Sequence, residues 1–226
     1  MKSPCILLII VCTLSLTGCA STKQADSDSS LGKAQQTLDS LYQHYSAKDS
    51  YLLRESYPFD EQHKVTYLAS EDQANTPNQF SYLWPYSGTF SAVNALFEAT
   101  HDKKYQKLLD KRVLPGLEEY FDIQRTPNAY SSYIQTAPTS DRFYDDNVWL
   151  GIDFTDIYQI TQEKRYLDKA QLIWKFIESG TDSLLGGGIY WCEQKKESKN
   201  TCSNAPGSVL ALKLFKATND SIYFRQ

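Results

Sequence analysis

The chain has 226 residues and a formal net charge of −4, and 22% of its residues are charged. Acidic and basic residues are interspersed without a basic stripe, so we expect no nucleic-acid partner. His44, His63 and His101 are scattered without the spacing of metal ligands, so we also expect no metal site.

The first 18 residues have the pattern of a lipoprotein signal peptide. Lys2 gives a positive start, Cys5–Leu16 is dominated by apolar residues, and Leu16-Thr17-Gly18-Cys19 places small residues before a cysteine. This apolar stretch is shorter than the roughly 20 residues that a membrane-spanning helix needs. The motif resembles a lipobox, in which Cys19 carries the lipid; a plain secretory signal and a short N-terminal anchor helix are the alternatives.

Residues 19–33 are predicted to be a lipidated, disordered tether, because residues 20–33 contain almost no apolar side chains. The folded domain is expected to occupy residues 34–226. We therefore expect an outer-membrane lipoprotein, on the periplasmic or the cell-surface side, that touches the membrane through its lipid anchor only.

A junction motif recurs three times along the rest of the chain. Leu96–Tyr105, Ile157–Tyr166 and Leu214–Tyr223 share an apolar pair, a threonine, a short polar turn and a tyrosine, at spacings of 61 and 57 residues. A near-fixed period of this length indicates a repeat architecture.

The segments before the junctions, Ser87–Thr100, Val148–Thr161 and Ala205–Thr218, are apolar or small nearly all round, which is typical of buried helices. After the junctions, amphipathic helices with a single apolar face are predicted. The second has its apolar face at Tyr166, Ala170, Ile173, Trp174 and Ile177, and Pro115 is expected to kink the first.

Each outer helix is followed by a long connection back to an inner helix. These connections run roughly over 56–85, 123–144 and 181–204. Since paired helices are antiparallel, all three connections emerge on one face, at the N-terminal ends of the inner helices. Long loops in compact domains often carry function. The sequence therefore predicts an all-α toroid of inner and outer helices, with its site at this face.

Two adjacent carboxylates, Asp145 and Asp146, open the second inner helix. Such a pair can lie about 5–6 Å apart, near the separation that retaining glycosidases use. The positive potential of the helix N-terminus keeps one carboxylate ionised, while like-charge repulsion raises the pKa of the other. The alternative is that both aspartates simply cap the helix.

Aromatic residues concentrate in the long connections, where they could stack on sugar rings, although for each of them ordinary burial in the core is the commoner role. Gly186-Gly187-Gly188 lacks the Lys-Ser/Thr of a phosphate loop, so it predicts a tight turn and no nucleotide cofactor. The aromatic residues are Trp84, Tyr86, Tyr130, Tyr133, Tyr144, Tyr190 and Trp191.

Cys192 and Cys202 are the two cysteines left outside the signal and the lipidation site. In an oxidising compartment they predict one disulfide, worth roughly 2–3 kcal/mol for so short a loop. A metal site is the weaker alternative.

At these residues the chain resembles glycoside hydrolase family 76, the endo-α-1,6-mannanases of bacteria and fungi. The resemblance spans about 35–226, and the aspartate pair leading into a tryptophan is its most specific element. Four stretches carry it: Trp84-Pro85-Tyr86-Ser87-Gly88, Tyr144-Asp145-Asp146-Asn147-Val148-Trp149, Gly186-Gly187-Gly188-Ile189-Tyr190-Trp191 and Asn200-Thr201-Cys202-Ser203-Asn204-Ala205-Pro206.

The resemblance implies an (α/α)₆ barrel that hydrolyses α-1,6-mannan with retention of configuration and without a metal. It makes Asp145 the nucleophile and Asp146 the acid/base. The α-mannan polysaccharide or oligosaccharide would be the partner. The substrate-binding residues expected from these stretches are Trp84, Tyr86, Tyr144, Asn147, Trp149, Tyr190, Trp191 and Asn204.

Six pairs at about 59 residues each need roughly 350 residues, so this sequence predicts about the first half of a ring. We expect a fragment or truncated product whose activity could be lost, although a short open array is an alternative. A non-catalytic glycan-binding lipoprotein, a non-functional remnant and other sugar-processing toroids are the rival hypotheses.

Overall fold

The computed structural model describes residues 29–62 and 78–224. The predicted signal peptide, Cys19 and most of the predicted tether lie outside the described residues. In chain order the elements are helix α1 (Ser30–Tyr45), helix α2 (Leu83–Thr100), helix α3 (Lys103–Leu108), a π-helical segment (Leu109–Val113), helix α4 (Leu114–Glu118), strand β1 (Phe121–Asp122), strand β2 (Ala129–Tyr130), helix α5 (Tyr144–Thr161), helix α6 (Lys164–Ser179), helix α7 (Thr201–Thr218) and a 3₁₀ segment (Ser221–Phe224).

Helix α1 corrects the boundary of the predicted tether, because it begins at Ser30 rather than after residue 33. Ser29 is its N-cap, and the Ser29 hydroxyl accepts a hydrogen bond from the Gly32 amide at 3.0 Å. A serine in this position satisfies an amide that the first helical turn leaves without a partner. Leu38 then buries one face of α1 against the core.

The three inner helices, α2, α5 and α7, each contain 18 residues and end at the predicted threonines. In each, the threonine hydroxyl donates to the carbonyl four residues earlier and accepts from the amide two residues later, as Thr161 does with Ile157 and Glu163. The next residue is left-handed, with φ between 53° and 59°. The repeated threonine therefore ends the helix and starts the short turn.

The three inner helices begin four residues before the apolar segments that predicted them, and the second begins where Asp145 and Asp146 were predicted to open it. Their first turns contain Trp84, Asp145 and Cys202, which are exposed or half-buried and so interrupt the apolar pattern. In the first two of these turns the neighbouring Leu83 and Tyr144 are buried in the core. The first turns therefore mix buried and accessible residues, and the apolar pattern alone did not mark them as helix.

The outer helices alternate with the inner ones as predicted. All five residues predicted for the apolar face of α6 are buried. The first outer helix runs continuously from α3 to α4 through the π-helical segment, which ends two residues before Pro115. Since proline cannot donate to the carbonyl four residues back, a wider turn at this point accommodates it.

Helix α5 occupies the centre of the structure, in contact with α2 on one side and α7 on the other. Phe90 of α2 meets Phe154 of α5 edge to face at 4.9 Å between ring centroids. The chain is mostly helical, which confirms the all-α prediction; the two-residue strands β1 and β2, paired antiparallel in the second long connection, were not predicted. Among the described residues, no helix has the length and apolar character needed to cross a membrane.

We expect Gly116→Ala to lower the free energy of unfolding by about 1–3 kcal/mol. A β-carbon at this position would lie 1.9 Å from the Tyr86 hydroxyl oxygen and 2.9 Å from the Tyr51 carbonyl oxygen. Gly88→Ala is the control, because a β-carbon there has nothing within 4 Å. Alanine in a helix interior should stabilise by about 0.5–1 kcal/mol. Denaturant unfolding followed by circular dichroism measures both, and equal effects would contradict this packing.

Candidate active site

A cavity of about 560 Å³ opens at the N-terminal ends of α2 and α5, on the face where the long connections meet. Four predicted site residues line it: Asp145, Asp146, Trp84 and Trp191. The cavity therefore brings together both carboxyl groups and two tryptophans from three separate parts of the chain. The remaining lining residues are Glu55, Tyr82, Pro85, Ser132 and Phe143.

Two connections are joined side by side directly in front of α5. Phe143 and Cys192 form an antiparallel bridge, and the Tyr144 amide donates to the Trp191 carbonyl at 2.9 Å. This register places the rings of Phe143 and Trp191 in contact, with centroids 5.1 Å apart. One wall of the cavity is therefore a pair of aromatic rings beside the aspartates.

Arg142 fixes this junction from behind. Its side chain is fully buried, where it pairs with Glu193 through two guanidinium nitrogens and donates to the Pro127 carbonyl at 2.8 Å. The guanidinium also lies 4.9 Å from the centre of the Phe176 ring. A buried cation is tolerated only when its donors are satisfied in this way. Sequence reasoning missed Arg142, because its partners are up to 51 residues away.

The two aspartates differ in their surroundings. Asp146 is only 8% exposed, and burial together with the neighbouring Asp145 carboxylate raises the pKa of its carboxyl group well above the usual value. Burial also raises the pKa of Asp145, but hydrogen bonds from the Cys202 thiol, from backbone amides and from Trp191 oppose that rise. Of the two carboxyl groups, Asp146 therefore has the stronger preference for the protonated form.

One oxygen of Asp145 remains without a hydrogen-bond partner in the described part of the chain. This Oδ1 atom is buried, although the side chain as a whole lines the cavity. A buried carboxylate oxygen without a partner is costly and is typical of a site that completes its contacts with a ligand.

The structure corrects the prediction for three tyrosines, which lie in the core and not in the cavity. The Tyr86 hydroxyl donates to the Val113 carbonyl at 3.0 Å, and the Tyr190 hydroxyl donates to Asp182 at 3.0 Å. The Tyr144 ring stacks on Phe176 at 4.6 Å. The hydroxyl groups and ring faces of these tyrosines thus contact other residues of the same chain, in agreement with the alternative of ordinary burial.

Asn147 and Asn204 also contact protein groups, not the cavity. Asn147 accepts from the Tyr130 amide and donates to the Tyr130 carbonyl, both at 2.9 Å. Asn204 makes the same two bonds with Ile189, at 2.7 and 2.9 Å. Each asparagine therefore ties a long connection to the start of an inner helix. Trp149 is exposed one turn beyond Asp145 and does not line the cavity.

The disulfide predicted between Cys192 and Cys202 is not formed, because both cysteines are free thiols. Cys192 is buried in the bridge with Phe143, where its Sγ lies 3.8 Å from the Gln194 side-chain oxygen. Cys202 is exposed in the first turn of α7 and contacts Asp145. The two thiols thus lie in different environments, although they are only ten residues apart in the sequence.

Glu55 and Ser132 are cavity residues that the sequence analysis did not single out. Glu55 lies just before the first long connection, where its carboxylate accepts from the Tyr82 amide at 3.0 Å. Ser132 lies in the second connection, and its backbone carbonyl accepts from the Leu83 amide at 2.9 Å. Neither residue belongs to a periodic pattern or a motif, so no sequence signal could have found them.

We expect Asp146→Asn to be more stable than the unaltered chain, by an amount that grows as pH rises above about 4, the usual pKa of an aspartate in the unfolded chain. The carboxyl group of Asp146 has a raised pKa in the folded chain, so the unfolded chain loses this proton first and stability falls with rising pH. Asparagine cannot ionise and avoids that loss. Thermal unfolding at several pH values measures the difference, and a constant difference would contradict the raised pKa.

Comparison with known proteins identifies the family and the fold. The family described as Glycosyl hydrolase family 76 matches residues 56–226. No curated protein matches the chain. Among solved structures, a family 76 glycoside hydrolase (mannosidase) from Bacteroides thetaiotaomicron VPI-5482 has a TM-score of 0.70 and 30% identity, covering 85% of this chain and 50% of its own.

Two further structures show the same fold. A family 76 glycoside hydrolase from a bovine Bacteroides thetaiotaomicron strain has a TM-score of 0.68 and 29% identity, covering 87% of this chain and 40% of its own. An inactive variant of an α-1,6-mannanase from Salegentibacter sp. HEL1_6, in complex with α-1,6-mannotriose, has a TM-score of 0.60 and 23% identity, covering 85% and 47%.

The chain spans about half the length of the solved structures that it matches. Its inner and outer helices thus correspond to part of a family 76 toroid, which confirms the predicted architecture. On the extent of the family match and the identity to a solved member, the chain belongs to glycosyl hydrolase family 76.

Proposed function

We propose that this chain hydrolyses the backbone of α-1,6-mannan with retention of configuration. The observation that carries the proposal is that the carboxyl groups of Asp145 and Asp146 line one cavity together with Trp84 and Trp191. The inactive Salegentibacter variant that binds α-1,6-mannotriose carries asparagine in place of two consecutive aspartates. That pattern matches the aspartate pair of this chain.

The protonation states of the pair fit a two-step reaction. In the first step the Asp145 carboxylate attacks the anomeric carbon, while Asp146 gives its proton to the departing glycosidic oxygen as that bond breaks. In the second step Asp146 takes a proton from water, the water oxygen attacks the same carbon, and the bond to Asp145 breaks. Two displacements on one carbon leave its configuration unchanged.

The cavity walls suit a sugar chain. Trp84 is 50% exposed and lines the cavity, and the paired rings of Phe143 and Trp191 form a second aromatic wall. Flat aromatic faces pack against the carbon–hydrogen faces of sugar rings, while polar groups between them bind hydroxyl groups. A cavity of about 560 Å³ is large enough for sugar units on either side of the cleaved bond.

We expect release of oligomannosides from linear α-1,6-mannan, and a loss of roughly 10³-fold or more in Asp145→Asn and Asp146→Asn. Asp39→Asn, on the exposed side of α1, is the control that keeps full activity. Proton magnetic resonance of fresh product should show the α anomer. Binding of mannan without release of oligomannosides would favour the glycan-binding alternative. A β product would rule out hydrolysis with retention of configuration.

We also propose that the chain is anchored to the cell envelope through Cys19, on the evidence of the lipobox-like Leu16-Thr17-Gly18-Cys19. Cells that express the chain should incorporate labelled palmitate into it, and Cys19→Ser should lose the label and leave the membrane fraction. Cys202→Ser is the matched control that keeps the label. An unlabelled chain with Cys19 intact would contradict the anchor.

A further inference from the structure

Ser132 is the one lining residue of the cavity whose hydroxyl group has no hydrogen-bond partner among residues 29–62 and 78–224. The residue is 3% exposed. Its backbone is held on both sides, since its amide donates to the Asp141 carbonyl at 2.8 Å and its carbonyl accepts from the Leu83 amide at 2.9 Å. The backbone of Ser132 is therefore fixed beside the cavity.

A buried hydroxyl group without a partner destabilises the folded chain, and buried polar groups are paired in nearly all proteins. At the wall of a cavity, a bound molecule can supply the missing bond. Because Ser132 lines the same cavity as the aspartate pair, its partner should be a group on the molecule that occupies that cavity.

Glu55 supplies a second polar group to the cavity. Its carboxylate is held at the start of α2 by the Tyr82 amide, at 3.0 Å, two residues before Trp84. A fixed carboxylate is a strong acceptor for hydroxyl groups. Neither Glu55 nor Ser132 belongs to the pair assigned to bond cleavage, so their contribution is to binding.

We propose that Ser132 and Glu55 form a sugar-binding subsite, in which they hydrogen-bond the ring hydroxyl groups of a mannose unit whose ring stacks on Trp84. This inference rests on the proposed function, because it takes the occupant of the cavity to be an α-1,6-linked mannan. A serine hydroxyl both donates and accepts, and the carboxylate accepts, so together they match the secondary hydroxyl groups of such a unit.

Ser131 provides a matched control one residue away. It is buried as Ser132 is, but its hydroxyl accepts from the Arg125 guanidinium at 3.0 Å and it does not line the cavity. Ser131→Ala removes a satisfied hydrogen bond, whereas Ser132→Ala removes an unsatisfied group. Ser131→Ala should therefore affect stability alone, and Ser132→Ala binding alone.

The test measures binding of α-1,6-mannotriose to the full chain carrying Asp146→Asn, by calorimetry, together with its melting temperature. Adding Ser132→Ala should weaken binding roughly three- to tenfold without lowering the melting temperature. Adding Glu55→Gln, which can still accept from the Tyr82 amide, should weaken binding on the order of tenfold. Ser131→Ala should lower the melting temperature and leave binding unchanged.

Unchanged binding in both Ser132→Ala and Glu55→Gln, with mannotriose still bound by the Asp146→Asn chain, would overturn the subsite and leave the proposed function intact. Failure of the Asp146→Asn chain to bind mannotriose, together with no release of oligomannosides by the unaltered chain, would overturn the proposed function and the subsite with it. Glu98→Gln, exposed on α2, controls for loss of negative charge and should change neither quantity.

Discussion

The site depends on two carboxyl groups held side by side at the start of a buried helix. Neighbouring residues in a helix point about 100° apart, so both can face one cavity only where the helix ends and the cavity lies beyond it. The start of α5 meets this condition, because Asp145 and Asp146 occupy its first turn and the cavity opens above it. Burial of Asp146 then favours one proton on the pair, and that asymmetry gives the two groups different roles.

Burying a carboxyl group in this way is unfavourable, so the surrounding structure must hold the helix start in place. Arg142 does this from one side, by linking the residues that precede α5 to Glu193 in the next connection. Asn147 does it from the other, by binding both backbone groups of Tyr130. Arg142 and Asn147 do not line the cavity themselves, but they hold the two aspartates in position beside it.

The sequence was informative where structure is local or periodic. The ends of the inner helices follow from Thr100, Thr161 and Thr218, because each threonine acts on its own neighbours along the chain. The roles of Tyr86 and Asn147 could not be predicted, since Tyr86 depends on a carbonyl of the first outer helix and Asn147 on the backbone of Tyr130 in a long connection. A tyrosine or an asparagine in a loop-rich region suits a sugar and a backbone carbonyl equally well. The cavity face was predictable from the connection lengths alone.

The repeat explains how one scaffold presents different chemistry at one face. Trp84, Asp145 and Cys202 each stand second in an inner helix of 18 residues, so the fold places them at equivalent positions around the same end. At that position one repeat supplies an aromatic face, the next a carboxylate, and the third a thiol that hydrogen-bonds the carboxylate. The rest of each repeat is the same in all three: a buried inner helix that ends at a threonine. Since such a position projects beyond the core, its residue can change without disturbing the packing below, and the chemistry of the cavity is therefore set there.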